Sequence, residues 1–436
     1  MVGAVENTEQ QYCVIGAGPA GLSAAKNLKQ LGLPFVGFEA HTDVGGLWDI
    51  TSKHSTMYES AHLISSKRMT EFAEFPMRAE VADYPHHAEL HRYFGDFAGH
   101  FALREQYRFG TEVKKIERAD TLWRVHSVDA QGRTRGELFK GVLIANGTLS
   151  EPNVPNYAGQ YSGELMHSAA YKSANIFDGK RVLVVGCGNS ACDIAVDAVH
   201  RAKRVAISVR RGYHFVPKYV FGKPVDTIGG KLKLPRALKQ RVDSFLLWVF
   251  VGDVSRLGLP KPDYKLYESH PVLNTQMLYH IGHGDIAPKP DVAEFSGGSV
   301  RFADGSAEDF DLVLLATGYK LHYPFIDKTE LNWNGAAPQL YLNCFHPERD
   351  NLFVLGMVEA AGLGWEARNL QGELVARFLK ACEEGQSGAE RLRAMKHAPL
   401  QALDGGFRYL KLDRMAYYVH KETYFRELRR HLALFK

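Results

Sequence analysis

The residues that most directly suggest chemistry lie in two short glycine-rich motifs, each between a strand pattern and a helix pattern. The first motif, Gly16-Ala17-Gly18-Pro19-Ala20-Gly21, follows the apolar run Tyr12–Ile15. In such a motif the first glycine permits a tight turn, the second lets the main chain approach a pyrophosphate, and the third lets helix and strand pack closely. Free N–H groups at the helix N-terminus favour the negative phosphates. The motif therefore predicts a dinucleotide site at residues 16–21.

An acidic residue at the end of the next strand fits the same site. Glu39 lies 23 residues after Gly16, directly after the apolar run Pro34–Phe38. A carboxylate at this place can accept hydrogen bonds from both hydroxyl groups of an adenosine ribose. We therefore expect a nucleotide with an unmodified ribose here, and the alternative is a glycine turn that only packs a helix.

The second motif repeats this layout with the opposite charge. Gly186-Cys187-Gly188-Asn189-Ser190-Ala191 follows the strand pattern Lys180–Val185, and alanine is an accepted variant at the third glycine position. The next strand ends in Arg210 and Arg211, and Arg210 lies 24 residues after Gly186. A base at this place suits the extra 2′-phosphate of NADPH. We therefore predict FAD at the first motif and NADPH at the second, unless the two arginines are only solvated.

Two further apolar runs complete the framework that must position these motifs. Val142–Ala145 leads into Asn146-Gly147, and Leu312–Ala316 leads into Thr317-Gly318. Continuous apolar runs are typical of strands buried on both faces of a parallel sheet. The order of elements predicts an α/β fold with two nested Rossmann-like dinucleotide-binding domains. We expect the first part of the FAD domain at 1–155, the inserted NADPH domain with a helical insertion at 156–294, and the second part of the FAD domain with a helical tail at 295–436.

The composition excludes several other classes of protein. Hydrophobic residues make up 45% and charged residues 23% of the 436 residues, which is typical of a globular protein with a full core. The net charge of +4 comes from bases interleaved with acids, so no basic stripe indicates a nucleic-acid partner. The five cysteines form no repeated C-x-x-C pattern, so we expect a reducing compartment and no metal site.

Neither a membrane span nor a signal peptide is expected. No apolar run approaches the roughly 18 residues that a transmembrane helix needs. Residues 1–11 lack the basic-then-apolar pattern of a secretory signal, so we expect a cytoplasmic protein. We interpret the apolar segment Arg241–Leu259 as a buried helix or a wall of a substrate channel, with a membrane-surface face as the alternative.

A longer pattern lies just before the second glycine motif. It stands as Tyr161-Ser-Gly163-Glu-Leu-Met-His167-Ser-Ala-Ala-Tyr171 and resembles the fingerprint F-x-G-x-x-x-H-x-x-x-Y/F of the flavin-containing monooxygenases, the single-component class B type, with Tyr in place of the leading Phe. Gly45-Gly46-Leu47-Trp48 and Ala316-Thr317-Gly318-Tyr319 also match that family in order and spacing. The resemblance covers Tyr12–Lys380. It implies FAD and NADPH as cofactors, and O₂ and a small molecule as substrates.

The resemblance also implies which residues surround the cofactors. The loop Gly46-Leu47-Trp48 and the turn Thr317-Gly318-Tyr319 are expected to contact them, with simple packing as the alternative for Trp48. A glutamine on the helix after Gly364 lies near the flavin in the family, and Gln371 stands at the matching position. His167 is expected to link the two domains.

One position departs from the family. Its members usually carry an Asn shortly before a Lys and a Phe-Pro pair, and Ile64 stands there in this chain; a shift of one residue offers Ser65 instead. Ile64, Ser65 and Gln371 are therefore the expected catalytic positions. Loss of the polar Asn partner favours an uncoupled NADPH oxidase that releases hydrogen peroxide.

The main activity that the resemblance implies is an NADPH-dependent monooxygenation. Hydride passes from NADPH to FAD, O₂ is activated as a C4a-hydroperoxyflavin, and one oxygen atom is transferred to a nucleophilic nitrogen or sulfur. Tyr171 favours these acceptors, because ketone-oxidising Baeyer–Villiger relatives typically have Trp there; Baeyer–Villiger oxidation remains an alternative. A nucleotide-binding protein without activity is disfavoured by the two intact motifs. The substrate and the oligomeric state stay open, and a homodimer is compatible with the sequence.

Overall fold

The computed structural model of this chain describes residues 8–228, 235–398, 400 and 402–436. Residues 1–7, part of the N-terminal segment without a signal-peptide pattern, lie outside the described residues. A five-stranded parallel sheet forms the centre of the first unit, with the strand order Leu352–Val354, Gly141–Ile144, Tyr12–Ile15, Phe35–Phe38 and Tyr107–Arg108. Its three middle strands are buried at every residue, because helices pack on one face and an antiparallel sheet packs on the other.

A second five-stranded parallel sheet repeats this arrangement. Its strand order is Glu164–His167, Leu312–Leu315, Arg181–Val185, Arg204–Ser208 and Ile286–Lys289. All of these strands lie in the chain between Gly141–Ile144 and Leu352–Val354 of the first sheet. The predicted nesting of one dinucleotide-binding unit inside the other is therefore confirmed.

The strand pairing moves one predicted boundary. Leu312–Leu315 pairs with Arg181–Val185 in the second sheet, although we expected residues after 295 to belong to the first unit. The chain crosses between the units at a short ribbon, where Glu151–Pro152 pairs with Tyr319–Lys320. Parallel partners lie far apart in sequence, so the apolar pattern alone did not show which sheet this strand joins.

Smaller sheets extend each unit. The first unit carries the antiparallel strands Thr111–Ala119, Leu122–Asp129 and Thr134–Phe139. The second carries Val292–Gly297, Ser299–Phe302 and Ala307–Asp309, with Ala158–Tyr161 added in parallel. Two further ribbons join Tyr219–Val220 to Lys223–Pro224 and Trp333–Asn334 to Ala337–Pro338.

Helices cover one face of each parallel sheet, the small antiparallel sheets cover the other, and further helices form the C-terminal tail. Helix α1 (Pro19–Gln30) packs against α7 (Glu366–Glu383) beside the first sheet, and α4 (Asn189–Val199) packs against α6 (Gln276–Gly282) beside the second. In chain order the helices are α1 Pro19–Gln30, α2 Lys67–Thr70, α3 His87–His100, α4 Asn189–Val199, α5 Arg236–Val251, α6 Gln276–Gly282, α7 Glu366–Glu383, α8 Ser387–Lys396 and α9 Lys421–Leu432.

Helix α5 differs from the prediction for the apolar segment. None of its residues is buried, and Phe245 and Trp248 are 61% and 62% exposed. Their rings stack on each other with centroids 6.1 Å apart instead of packing into a core. The prediction of a buried helix is therefore wrong, because hydrophobicity does not show what packs against a segment. None of the described helices is long and apolar enough to cross a membrane.

Candidate active site

The first glycine of each motif is fixed by the neighbouring strand. Gly16 and Gly186 have φ of +102° and +116°, in the left-handed region. A Cβ at Gly16 would lie 2.6 Å from Ala145 O, and one at Gly186 would lie 2.5 Å from Ala316 O. Both turns are therefore formed against the strand that enters the sheet later in the chain, and only glycine fits there.

The middle glycines are not explained by protein packing. A Cβ at Gly188 would meet nothing within 4 Å, and one at Gly18 would have Gly46 Cα as its nearest neighbour at 3.6 Å. Both residues have φ of −77°, which any residue can adopt. The free space beside these two main-chain turns is what a pyrophosphate needs. Both turns therefore fit a dinucleotide.

The third positions differ between the motifs as the sequence predicted. A Cβ at Gly21 would lie 1.8 Å from Gly16 O, so glycine is required for the approach of α1 to its strand. At the equivalent place in α4, Ala191 is 1% exposed and is accommodated. Pro19 and Ala20 form the first turn of α1, and no described side chain caps this turn. Its N–H groups are therefore available to an anion.

Glu39 lies directly after the strand Phe35–Phe38, as predicted. One carboxylate oxygen accepts a hydrogen bond from Ala17 N at 2.6 Å and the other accepts one from His41 N at 2.9 Å. Burial raises the pKa of this carboxyl group, and the two main-chain donors oppose that rise. Each oxygen keeps acceptor capacity for a further hydroxyl donor.

The loop Gly46–Trp48 lies against the first glycine turn. A Cβ at Gly46 would be 3.0 Å from Gly18 Cα, and Leu47 O accepts a hydrogen bond from the Ser55 hydroxyl. Trp48 meets Trp365 edge to face at 6.2 Å, just before α7 begins. The structure therefore brings the loop, the glycine turn and the N-terminus of α7 together.

The segment with Ile64 and Ser65 also reaches the N-terminus of α7. Both residues are half-buried, and the Ser65 hydroxyl lies 2.7 Å from the Thr70 hydroxyl. Thr70 O accepts a hydrogen bond from Trp365 N at 2.8 Å. Ile64 brings no polar group to this place, and Ser65 is the nearest candidate to replace one.

Gln371 does not have the position that we predicted for a catalytic residue. It is 0% exposed, so it cannot contact a bound cofactor. Its Oε1 accepts from Gly356 N at 3.0 Å, and its Nε2 donates to the Tyr424 hydroxyl at 2.6 Å. The residue instead joins α7 to α9 and to the strand end at Gly356, and its assignment as a residue that touches the flavin is wrong.

Arg368, on the same helix, was not indicated by any motif. Its Nη1 donates to Gly364 O at 2.9 Å, and its Nε lies 3.9 Å from the place of a Cβ on Gly356. That Cβ would also lie 2.9 Å from Ala20, so this guanidinium is near the first glycine turn. Burial lowers its pKa. A cation in the first turn of a helix is opposed by the helix dipole, and this unusual placement is the sequence feature that could have revealed it.

Within the part of the chain that the structure describes, the two arginines after the second turn have no acidic partner. Arg210 is exposed and Arg211 is half-buried, and among the described residues no carboxylate lies within ion-pair distance of either. By contrast, Arg204 at the start of the same strand pairs with Glu308. The strand end therefore carries positive charge that is available to an anion.

The other predicted residues of the second turn, Asn189 and Ser190, make contacts within the protein. Asn189 accepts from Leu273 N at 2.8 Å and donates to Pro271 O at 3.3 Å, so its side chain fixes a neighbouring loop. Ser190 is exposed, and its hydroxyl lies beside that of Tyr58. Cys187 and Cys192 are free and buried, which gives no redox pair at the surface.

The turn Thr317-Gly318-Tyr319 forms the joint between the units. Thr317 Oγ1 donates to Asn153 O at 2.6 Å, and the Tyr319 ring packs on His167 at 5.3 Å. His167 Nε2 donates to Gly318 O at 3.1 Å, and its Nδ1 accepts from Ala169 N at 3.1 Å. Only the neutral Nε2–H tautomer makes both bonds, and burial lowers the pKa of this histidine accordingly. This geometry supports the linking role expected of His167.

No group of three or more His, Cys, Asp or Glu side chains in the described ranges has an arrangement that could hold a metal ion.

Comparisons with known proteins agree with this architecture. A family model described as "Flavin-binding monooxygenase-like" matches residues 9–407. Flavin-containing monooxygenase 5 of Mus musculus is 30% identical over 421 residues, which cover 89% of this chain and 77% of the relative. Two solved structures with 20% identity are similar in fold. S-allyl-L-cysteine S-oxygenase from Allium sativum has a TM-score of 0.68, and the match covers 97% of this chain and 88% of that one. NADP⁺-bound cyclohexanone monooxygenase from Rhodococcus sp. Phi1 has a TM-score of 0.67, and the match covers 87% of this chain and 85% of that one. The chain therefore belongs to the flavin-binding monooxygenase-like family and is an NADPH-dependent flavin monooxygenase that uses FAD.

Proposed function

We propose that this enzyme transfers one oxygen atom from O₂ to the nitrogen or sulfur lone pair of a small organic substrate. The observation that carries the proposal is the pair of open glycine turns followed by strand ends of opposite charge. The first turn is followed by Glu39 and the second by Arg210 and Arg211. This pairing suits a flavin nucleotide with a plain ribose and a nicotinamide nucleotide with a 2′-phosphate.

The chain's own residues bind and orient the two cofactors. At the first turn, Gly18, Ala20 and Gly21 present main-chain N–H groups to the FAD pyrophosphate, and Glu39 accepts the ribose hydroxyls. Gly16 forms the tight turn, and Pro19, which has no N–H group, begins the helix. At the second turn, Gly186, Gly188 and Ser190 receive the NADPH pyrophosphate, and the two arginines bind its 2′-phosphate. Bound FAD supplies hydride acceptance from NADPH and the activation of O₂.

The residues around the flavin exclude water and add charge. Gly46, Leu47 and Trp48 form a wall beside the first turn, and Trp48 and Trp365 close its apolar side. Leaked water favours release of hydrogen peroxide instead of oxygen transfer. We assign Arg368, whose guanidinium lies near the first glycine turn, as a cation that would offset negative charge on bound FAD. Thr317, Gly318 and Tyr319 act at the joint between the units.

Substrate choice is tested by competition. The holoenzyme receives NADPH, O₂ and an equimolar mixture of methyl p-tolyl sulfide, N,N-dimethylaniline and cyclohexanone, and the products are quantified by chromatography. We expect the sulfoxide and the N-oxide to form much faster than ε-caprolactone. Caprolactone as the main product would refute the proposed substrate class and support Baeyer–Villiger oxidation.

The oxidase alternative rests on Ile64 and has its own test. If the apolar side chain of Ile64 lets NADPH be oxidised without oxygen transfer, then Ile64→Asn should lower the ratio of hydrogen peroxide formed to NADPH consumed. Ser65→Ala is the matched variant for the neighbouring hydroxyl. The oxidase would be favoured for the natural chain if the wild-type enzyme forms one hydrogen peroxide for each NADPH oxidised, while Ile64→Asn couples NADPH oxidation to oxygen transfer.

We further propose a cytoplasmic enzyme that acts on small molecules and assembles as a homodimer. The five free cysteines suit a reducing compartment, and light scattering of the purified enzyme tests the assembly. A monomeric mass at micromolar concentration would contradict the homodimer.

A further inference from the structure

A segment of the first unit, residues 55–62, lies on the second unit and is part of its core. We call this segment the strap. Tyr58 and Ala61 are 5% and 3% exposed and pack in the same hydrophobic cluster as Ile194 of α4. The strap begins soon after the loop Gly46–Trp48 and ends just before Ile64. It therefore connects both flavin-side segments to the NADPH unit.

Two carboxylates of α4 hold the strap. Asp193 accepts a hydrogen bond from the Tyr58 hydroxyl at 3.2 Å and one from Asn274 Nδ2 at 2.6 Å. Asp197 accepts from the Ser60 hydroxyl and, at 2.9 Å, from the Tyr171 hydroxyl. Residues four apart lie on the same face of a helix, so both carboxylates face the strap.

Three of these four hydrogen bonds are partly buried, and the one from Ser60 is exposed. Burial raises the pKa of both Asp193 and Asp197, and the hydroxyl donors oppose that rise. Lys218 and Asn274 also face Asp193, while His200 and Glu59 face Asp197. Each carboxyl group accepts two hydrogen bonds, so each fixes two partners at once.

The last residue of the fingerprint, Tyr171, takes part in this contact. It is 1% exposed, so its ring does not reach a substrate. The side chain of its neighbour Lys172 also holds the strap, because Nζ donates hydrogen bonds to the main-chain carbonyl oxygens of Ser55 at 2.7 Å and Met57 at 3.0 Å. The end of the fingerprint therefore acts on the strap and not on the reacting atoms.

We propose that Asp193 and Asp197 are positioning residues for hydride transfer, because they fix α4 and the second glycine turn against the strap that leads to the flavin-side loop. The inference rests on the proposed function, since it requires FAD at the first turn and NADPH at the second. Hydride transfer depends on reacting atoms held about 3–3.5 Å apart, and a displacement of about 1 Å costs up to about 100-fold in rate. Loss of one hydrogen bond between α4 and the strap is expected to cause such a displacement.

The test compares Asp197→Asn and Tyr171→Phe with the control Asp178→Asn, which alters an exposed partner of Arg201. Flavin reduction by NADPH is followed anaerobically by stopped flow, and amide hydrogen exchange of residues 55–62 is measured by mass spectrometry. For both variants we expect the rate at saturating NADPH to fall about 10- to 100-fold, with a nearly unchanged NADPH dissociation constant. We also expect faster exchange across the strap, and no change in the control.

Several outcomes would overturn the inference. Variants that are less stable to urea but keep the wild-type reduction rate and strap exchange would show a purely structural role. If Asp197→Asn fails to retain FAD, then Ser60→Ala and Tyr171→Phe each remove one hydrogen bond and decide the question. A wild-type enzyme that dithionite reduces but NADPH does not would refute the proposed function itself, and the strap exchange still reports whether the carboxylates hold the segment.

Discussion

At the scale of single residues, the glycines of the two motifs divide into two kinds. Gly16, Gly21 and Gly186 are required by the protein's own backbone, because a Cβ would come within 2.6 Å of a carbonyl oxygen. Gly188 faces open space, a Cβ at Gly18 would make only an ordinary contact with Gly46, at 3.6 Å from its Cα, and both glycines have an ordinary φ. The motif spacing predicted all five positions, but only the structure separates folding requirements from ligand requirements.

We therefore expect substitutions at Gly18 and Gly188 to weaken ligand binding without lowering the stability of the protein. Gly188→Ala should change the free energy of unfolding by less than about 0.5 kcal/mol, because its methyl group meets nothing. The same methyl group blocks the approach of the pyrophosphate, so the NADPH dissociation constant should rise at least about tenfold. Gly18→Ala should likewise release FAD. Gly99→Ala, also in open space, is the control, and unchanged NADPH binding in Gly188→Ala would contradict the site.

The unpaired arginines predict the choice between the two nicotinamide nucleotides. Arg210→Ala and Arg211→Ala each remove a charged donor worth about 1.5–3 kcal/mol, so the KM for NADPH should rise about 10- to 100-fold. The KM for NADH should not change, because NADH lacks the 2′-phosphate. Steady-state kinetics with both nucleotides measures this, with Arg201→Ala as the control. If the KM values for NADPH and NADH rise together, the arginines do not recognise the 2′-phosphate.

At the scale of elements, α7 shows how tertiary contacts decide a residue's role. The resemblance placed Gln371 near the flavin, but its amide joins Gly356 to Tyr424 of α9. Nothing in the local sequence could show this, because Tyr424 is 53 residues away. The same reason explains the exposure of α5 and the sheet to which Leu312–Leu315 belongs. Both depend on partners that are distant in sequence.

The corrected role of Gln371 predicts an effect on stability. Gln371→Leu leaves the buried Gly356 N–H without an acceptor, so the free energy of unfolding should fall by about 1–3 kcal/mol. Urea unfolding measures this, and Tyr424→Phe completes a double-mutant cycle in which the two changes should not add. The flavin absorption spectrum should stay the same. A spectral shift without destabilisation would restore contact between Gln371 and the flavin.

The turn after Phe345 predicts a pH dependence of stability. His346 Nδ1 accepts hydrogen bonds from Glu348 N and Arg349 N, and burial lowers the pKa of His346 to about 4. Above the ordinary value of about 6.5 both states are neutral. As the pH falls from there towards 4, His346 binds a proton in the unfolded chain but stays neutral in the native state. Stability should therefore fall by up to about 1.4 kcal/mol per pH unit from this group.

The variant His346→Asn tests this pH dependence. Asn keeps an acceptor for the two amides but does not titrate, so the curve of unfolding free energy against pH should become shallower between pH 6.5 and 4. His283→Asn, at an exposed histidine, is the matched control. An unchanged slope in His346→Asn would show that this histidine is not protonated on unfolding.

At the scale of the whole molecule, the nesting of one unit in the other creates the joint that the reaction needs. The sequence showed the nesting, because the two glycine motifs and their closing strands occur in order along the chain. It did not show the strap, whose contacts with α4 join Ser60 to Asp197 across 137 residues. The relative position of the two cofactor turns is therefore a property of the complete fold.

The central claim, oxygen transfer driven by NADPH, is tested most directly by isotope labelling. The holoenzyme turns over methyl p-tolyl sulfide with NADPH under ¹⁸O₂, and the sulfoxide, NADPH consumed and hydrogen peroxide are quantified together. We expect each sulfoxide molecule to carry one ¹⁸O atom, with one NADPH consumed per product and little peroxide. Peroxide equal to the NADPH consumed, with no labelled sulfoxide, would contradict it.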